Sequence, residues 1–284
     1  MRSSGQALEA LMKESQARQP MAVVLKAIQN TQQHRGQSAL VLGGAAEASG
    51  KRAAKQEEVD GLFKVVDDTV RTVGDTEITL AWDEAKRDWD TLRQRLATRS
   101  LSVPDSFAAH SALIARLLIV SELLADHFGL NLDTDLDTYQ LVQATFYHLP
   151  YLTEESGKMR AKGAGLLAAK QASAEDRLAL SAIVARVADR LKQTTRQFDK
   201  ASRANPEIKA KLDGAMAHMG EQAQQAMRLA TEQIVKPEAL AYSGPEYVRL
   251  ATVAIDAQYA FAAAASGEFD QLLDHKIAAL HQQR

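Results

Sequence analysis

Gln32-Gln33-His34-Arg35-Gly36-Gln37-Ser38-Ala39-Leu40 lies inside a helical pattern that begins near Met21. At about 100° per residue, Met21, Val24, Leu25, Ile28, Ala39 and Leu42 share one face. Gln32 and Arg35 fall within the same apolar stripe. Arg35 follows Ile28 by one heptad and precedes Leu42 by one heptad. A guanidinium directed into a helical core needs a partner, because an unpaired buried charge costs about 3–5 kcal/mol. The partner can be a core carboxylate, or the head group can snorkel to the surface. It can instead be a ligand, a small anion held in a forked grip. On this residue alone the protein partner is the simpler choice.

Outward from this stretch, Val and Ile recur at 3.6-residue spacing and nothing alternates as a strand does. The spacing predicts a polar helix over 1–19 with no cap at its start, and Pro20 opens a fresh turn or kinks a continuing helix. Gly43-Gly44 ends the Arg35 helix. Further helices are expected over 51–73, 76–100 (with Trp82 and Trp89 as packing residues) and 107–128, the last after a linker over 101–106. Others are expected over 138–148, ending at Leu149-Pro150, and over 151–172, with Leu152, Ser156, Gly163 and Leu167 on one side and Arg160 at its edge. Ser173 opens the next helix. Asn205-Pro206 starts another, which ends near Pro237. Ser243-Gly244-Pro245-Glu246 is a capping box opening the final helix. The acidic run at Asp133, Asp135 and Asp137 lacks the glycine and closing glutamate of a Ca²⁺ loop.

Composition agrees with helices. The 284 residues are 46% apolar, with 15 Gly and 6 Pro, and 25% are charged with a net charge of -2. That is a helical-bundle composition. No basic excess and few aromatics argue against nucleic acid as a partner. Cysteine is absent, which excludes disulfides, thiolate nucleophiles and Cys-ligated metal. No metal site or cofactor is expected, since the 7 His are dispersed. There is no phosphate loop, no His-Glu-x-x-His and no nucleophile elbow. The longest apolar run, around 112–120, is broken by Arg116, so no membrane span is expected within the chain.

Arg35-Gly36-Gln37-Ser38-Ala39-Leu40-Val41-Leu42 can be laid on Arg160-Ala161-Lys162-Gly163-Ala164-Gly165-Leu166-Leu167. Both read Arg, small, polar, small, Ala, any, apolar, Leu. Arg52 falls on Arg177 at the same offset. Chance in an Ala-rich chain accounts for the echo as well as duplication does. The small residues still have a use: glycine inside a helix costs about 1 kcal/mol against alanine, and these glycines leave room beside an arginine where two motif helices pair.

These residues also resemble a known family. Gln32 to Ala39 is similar to the Gln-x-x-Arg-Gly-x-Ser-Ala signature of nitrate- and nitrite-sensing (NIT) domains. Tyr139, Leu149-Pro150 and then Glu154-x-x-Gly157-x-x-Arg160-Ala161 are similar to the second part of that family's pattern. The resemblance spans roughly 29–167. It implies an extracytoplasmic all-helical input domain in which an anion such as nitrate sits between two arginines, by position Arg35 and Arg160. The chain departs from the family with His34 where an acidic residue is frequent, and with Lys158-Met159 before Arg160.

The expected protein is therefore all-α, built of elongated antiparallel bundles as two stacked or side-by-side four-helix modules, over 1–104 and 105–284. It is read as the periplasmic sensor domain of an inner-membrane chemoreceptor. Arg35 and Arg160 clamp a small anion, Ser38 and Gln32 add hydrogen bonds, and Gly36 and Gly163 provide room. The uncapped terminal helices would run into flanking membrane spans, and a homodimer is expected by analogy. The alternatives are a carboxylate-sensing receptor domain and a helical scaffold. The scaffold predicts that Arg35 pairs with a protein carboxylate. The clamp predicts two arginines approaching with no carboxylate between them.

Overall fold

The computed structural model describes residues 2–283. Among them every regular element is a helix: α1 (Ser4–Ser15), α2 (Arg18–Gly43), α3 (Ser49–Val73), α4 (Thr76–Ala97), α5 (Val103–His127), α6 (Leu136–Val142), α7 (Leu149–Ala169), α8 (Ala174–Ala204), α9 (Pro206–Ala230) and α10 (Gly244–Gln282). The helices α2 to α5 pack as one ring of four, and α7 to α10 as a second with the same succession. The rings stand side by side, joined by α2 against α7. The division expected near 104 thus falls at the start of α5, which closes the first ring against α2 and α4. α1 lies along α10, and Arg18 at the start of α2 pairs with Asp270 at 3.0 Å and with Asp274 at 2.8 Å.

Local chemistry sets most boundaries. Asp75 caps α4 by accepting from Ile78 N–H, and Asn205 caps α9 with Pro206 in its first turn. Trp82 and Trp89 are buried in the first ring, and their indole N–H groups donate to Asp67 and Asp60 at 2.9 and 2.8 Å.

Several expectations need correction. The first helix does have a cap: Ser3 and Gln6 form a reciprocal box. A missing cap therefore cannot argue for a membrane span before it. The linker over 101–106 is shorter than expected, because Ser102 caps α5. Ser243 caps α10, but Glu246 turns to Arg249 instead of reaching back. The helix expected to end at Pro150 continues: α6 runs into α7 through a wide π-type turn at Gln143–His148. Proline lacks an N–H and crowds the carbonyl four residues back, and a wider turn absorbs both. α5 is also long and apolar enough to cross a bilayer. Its inner face is core here, and Arg116 on its outer face pairs with Asp88 at 2.6 Å and with Glu84.

Candidate functional site

Where the rings meet, α2 and α7 run parallel, not antiparallel. Gln32 lies beside Thr153 and Glu154, Gly36 beside Arg160, and Gly43 against Gly165 and Ala168. A Cβ on Gly43 would lie 2.7 Å from the Ala168 methyl, so the backbones are nearly in contact there. The two Arg motifs therefore face each other at one level of the seam. Arg35 and Arg160 are both buried to 1% exposure.

The two guanidiniums are in different states. The Nη1 and Nη2 groups of Arg35 donate to the two carboxylate oxygens of Glu154 at 2.9 and 2.8 Å, and Nη1 also reaches Ser111 at 3.1 Å. This bidentate pair is the strongest form of such contact. It is the carboxylate that the clamp expectation excluded and the scaffold expectation required. Gly157 makes it possible, because a Cβ there would come within 2.6 Å of Arg35 Nη2. Gln32 supports the carboxylate at 3.3 Å and accepts from Tyr259 at 2.7 Å.

Arg160 has no carboxylate within ion-pair distance among the described residues. Its Nη1 donates to Thr252 at 3.0 Å, while Nε and Nη2 are buried without a partner. Nε and Nη2 form one edge of the guanidinium, the fork that grips a planar anion side-on. Burial, and next the charge of Arg35, lower the Arg160 pKa to about 10. It remains a cation at neutral pH, held where a cation is costly. Gly36 packs over the Nε side of this fork, where a Cβ would stand 3.3 Å from Nε.

Arg160 forms the inner end of a cavity of about 300 Å³, lined also by Gln33 and Gln37 of α2, Lys51, Lys55 and Glu58 of α3, and Thr252 of α10. Lys55 is tied to Asn30 and Glu58, each at 3.0 Å. The buried Oε1 of Gln37 has no partner.

The six residues expected at the site are thus distributed unevenly. Arg160 and Gly36 line one fork. Arg35 and Gln32 are joined through Glu154. Ser38 is buried with its hydroxyl unpartnered. Gly163 makes room for the Tyr247 ring, which a Cβ would meet at 2.5 Å, and not for a ligand. Glu154, Thr252, Gln37, Lys51 and Lys55 were not singled out from the sequence. Glu154 and Gln37 sit in the two quoted motifs, so their positions were visible but their partners were not.

Behind the seam, His34 Nδ1 and His110 Nε2 lie 2.8 Å apart, and His110 Nδ1 donates to the Ser106 carbonyl at 2.7 Å. That carbonyl requires the proton on His110 Nδ1, which leaves His110 Nε2 to accept from His34. Burial is the main cause that lowers His34 to about 4 and His110 well below the ordinary imidazole range. Both rings are neutral, so they add no charge to the seam.

The sequence profile of a family described as "Nitrate and nitrite sensing" (NIT) matches residues 26–282. A solved structure of the NasR transcription antiterminator superposes with a TM-score of 0.71 at 17% identity, covering 96% of this chain and 73% of that one. At that identity the likeness concerns the fold. No curated protein matches the chain.

Proposed function

The chain belongs to the nitrate- and nitrite-sensing family, and on that premise we propose that it binds one small anion on the Nε/Nη2 edge of Arg160. The observation that carries this reading is the contrast between the two arginines. A fully buried guanidinium with two unpartnered donors is destabilising, and an anion on that edge removes the cost. Lys51, Lys55 and the Gln37 and Thr252 side chains line the approach. The expected two-arginine clamp becomes a division of labour: Arg160 holds the anion, and Arg35 is held by Glu154. The scaffold reading accounts for Arg35 but gives no partner to Arg160.

The reading predicts that nitrate or nitrite raises the thermal midpoint by mass action, and that Arg160→Gln abolishes the shift while retaining helical circular dichroism. Formate, acetate and small dicarboxylates belong in the same screen, because a cavity of about 300 Å³ has room for more than three oxygens around one atom. A midpoint that no anion moves, or a shift that survives Arg160→Gln, would falsify the assignment.

The same reading places the module in the periplasm as the input part of an inner-membrane chemoreceptor. Its support is that the first turns of α1 and the last turns of α10 lie together, with Arg2, Ala7, Ala279 and Leu280 lining one cleft. Two membrane spans would leave from such an end.

A further inference from the structure

Among the described residues only five charged side chains are buried: Glu14, Arg35, Glu154, Arg160 and Glu268. Glu14 lies near Asp133, where burial raises its pKa to about 9, and Glu268 pairs with Lys211 at 3.2 Å. The other three form the α2/α7 seam. Two are cations and one is an anion, so the seam carries one uncompensated positive charge. Lys51 and Glu58 are exposed at the cavity mouth, Asp256 is exposed in the adjoining cleft, and Lys55 is already paired with Glu58, so water screens them.

We propose that Glu154 sets the valence of the ligand: by cancelling Arg35 it leaves the seam one charge short of neutrality, so that the site accepts a monovalent anion and rejects a divalent one. This rests on the assignment of Arg160 as the anion's seat. Opposite charges a few ångströms apart in a partly dry site interact several-fold more strongly than in water. A monoanion on the Arg160 fork closes the balance with every guanidinium in a forked pair. A dianion there would leave a buried negative charge facing Glu154, and like charges within one site are strongly disfavoured. Glu154 acts without touching the ligand. Its fork on Arg35, the Gln32 amide at 3.3 Å and the room left by Gly157 hold it in place.

Two substitutions move the seam charge in opposite directions. Thr252→Asp puts a carboxylate beside Arg160 Nη1, where the Thr252 hydroxyl now accepts at 3.0 Å, and brings the seam to neutral. Glu154→Gln keeps the shape and brings it to two positive charges. Binding is read by thermal shift and titration calorimetry with sodium nitrate, sodium sulfate and sodium oxalate at matched ionic strength. The unsubstituted protein is expected to respond to nitrate and not to sulfate or oxalate. Thr252→Asp is expected to melt higher than the unsubstituted protein without added anion, and to lose nitrate affinity by about tenfold or more. Glu154→Gln is expected to gain affinity for oxalate or sulfate by a similar factor.

A Thr252→Asp protein that binds nitrate as the unsubstituted one does overturns the proposal, even if Glu154→Gln fails to fold. A folded Glu154→Gln protein with an unchanged preference overturns it equally. If instead nitrate never shifts the unsubstituted protein, the Arg160 seat itself has failed, which separates the two readings.

Discussion

Two glycines facing two arginines respond differently to the same added methyl. At Gly157 a Cβ would lie 2.6 Å from Arg35 Nη2, a distance that forces the fork off Glu154. Gly157→Ala is therefore expected to destabilise the protein by about 1–3 kcal/mol despite the gain in helix propensity, as overpacking commonly does. At Gly36 the distance to Arg160 Nε is 3.3 Å, which a shift of that side chain by a few tenths of an ångström relieves. There the helix gain of about 0.5–1 kcal/mol wins, so Gly36→Ala is expected to melt at or above the parent temperature. Its methyl stands before the fork, so its response to nitrate should fall. Thermal melts with and without nitrate check both, and a Gly157→Ala protein as stable as the parent would contradict the packing described for Arg35.

At the scale of elements, α2 is tied to α5 by the His34–His110 contact as well as by apolar packing. Both rings have pKa values below the ordinary 6.5, His34 at about 4. Unfolded histidines take up protons as pH falls through 6.5, while the folded ones do not. Stability is thus fully present above 6.5 and is lost toward pH 4. His34 alone contributes about 3 kcal/mol across that window. The midpoint should drop between pH 7 and pH 5, and replacing both histidines by Gln should flatten the drop. Elements were also where the sequence was most readable. The starts at Ser173 and Asn205-Pro206 and the stop at Gly43-Gly44 are local signals, and the helices begin or end there. The passage through Pro150 was not readable, because a widened turn costs one register step that no residue type announces. Nor was the parallel course of α2 and α7, which follows from the rings meeting and not from any loop. The partner of Arg35 was hidden for the same reason: Glu154 is 119 positions away, one acidic residue among 36.

For the whole molecule, a membrane-receptor origin has a direct consequence, because the chain has no cysteine. Leu178 on α8 is 72% exposed, so Leu178→Cys gives this module one reactive thiol, read against the unsubstituted full-length protein. A membrane-impermeant maleimide should label it in spheroplasts before lysis. Labelling only after lysis would place the module on the cytoplasmic side and remove the periplasmic assignment.

The backbone contact at one end of the seam also decides how a small change could travel. Gly43 of α2, Ala168 of α7 and Gly244 of α10 come together there, with the Gly244 Cβ position 3.2 Å from a Leu40 methyl and 3.6 Å from the Ala168 nitrogen. A contact this tight can serve α10 as a fulcrum. Thr252, which holds Arg160, lies eight residues along α10 from it, or about 12 Å. Gln282 lies thirty-eight residues along, or about 57 Å. A rigid tilt of α10 about that point would be magnified nearly fivefold from the proposed anion seat to the far tip, so half an ångström gained at Thr252 would arrive at the other end of the helix as more than two.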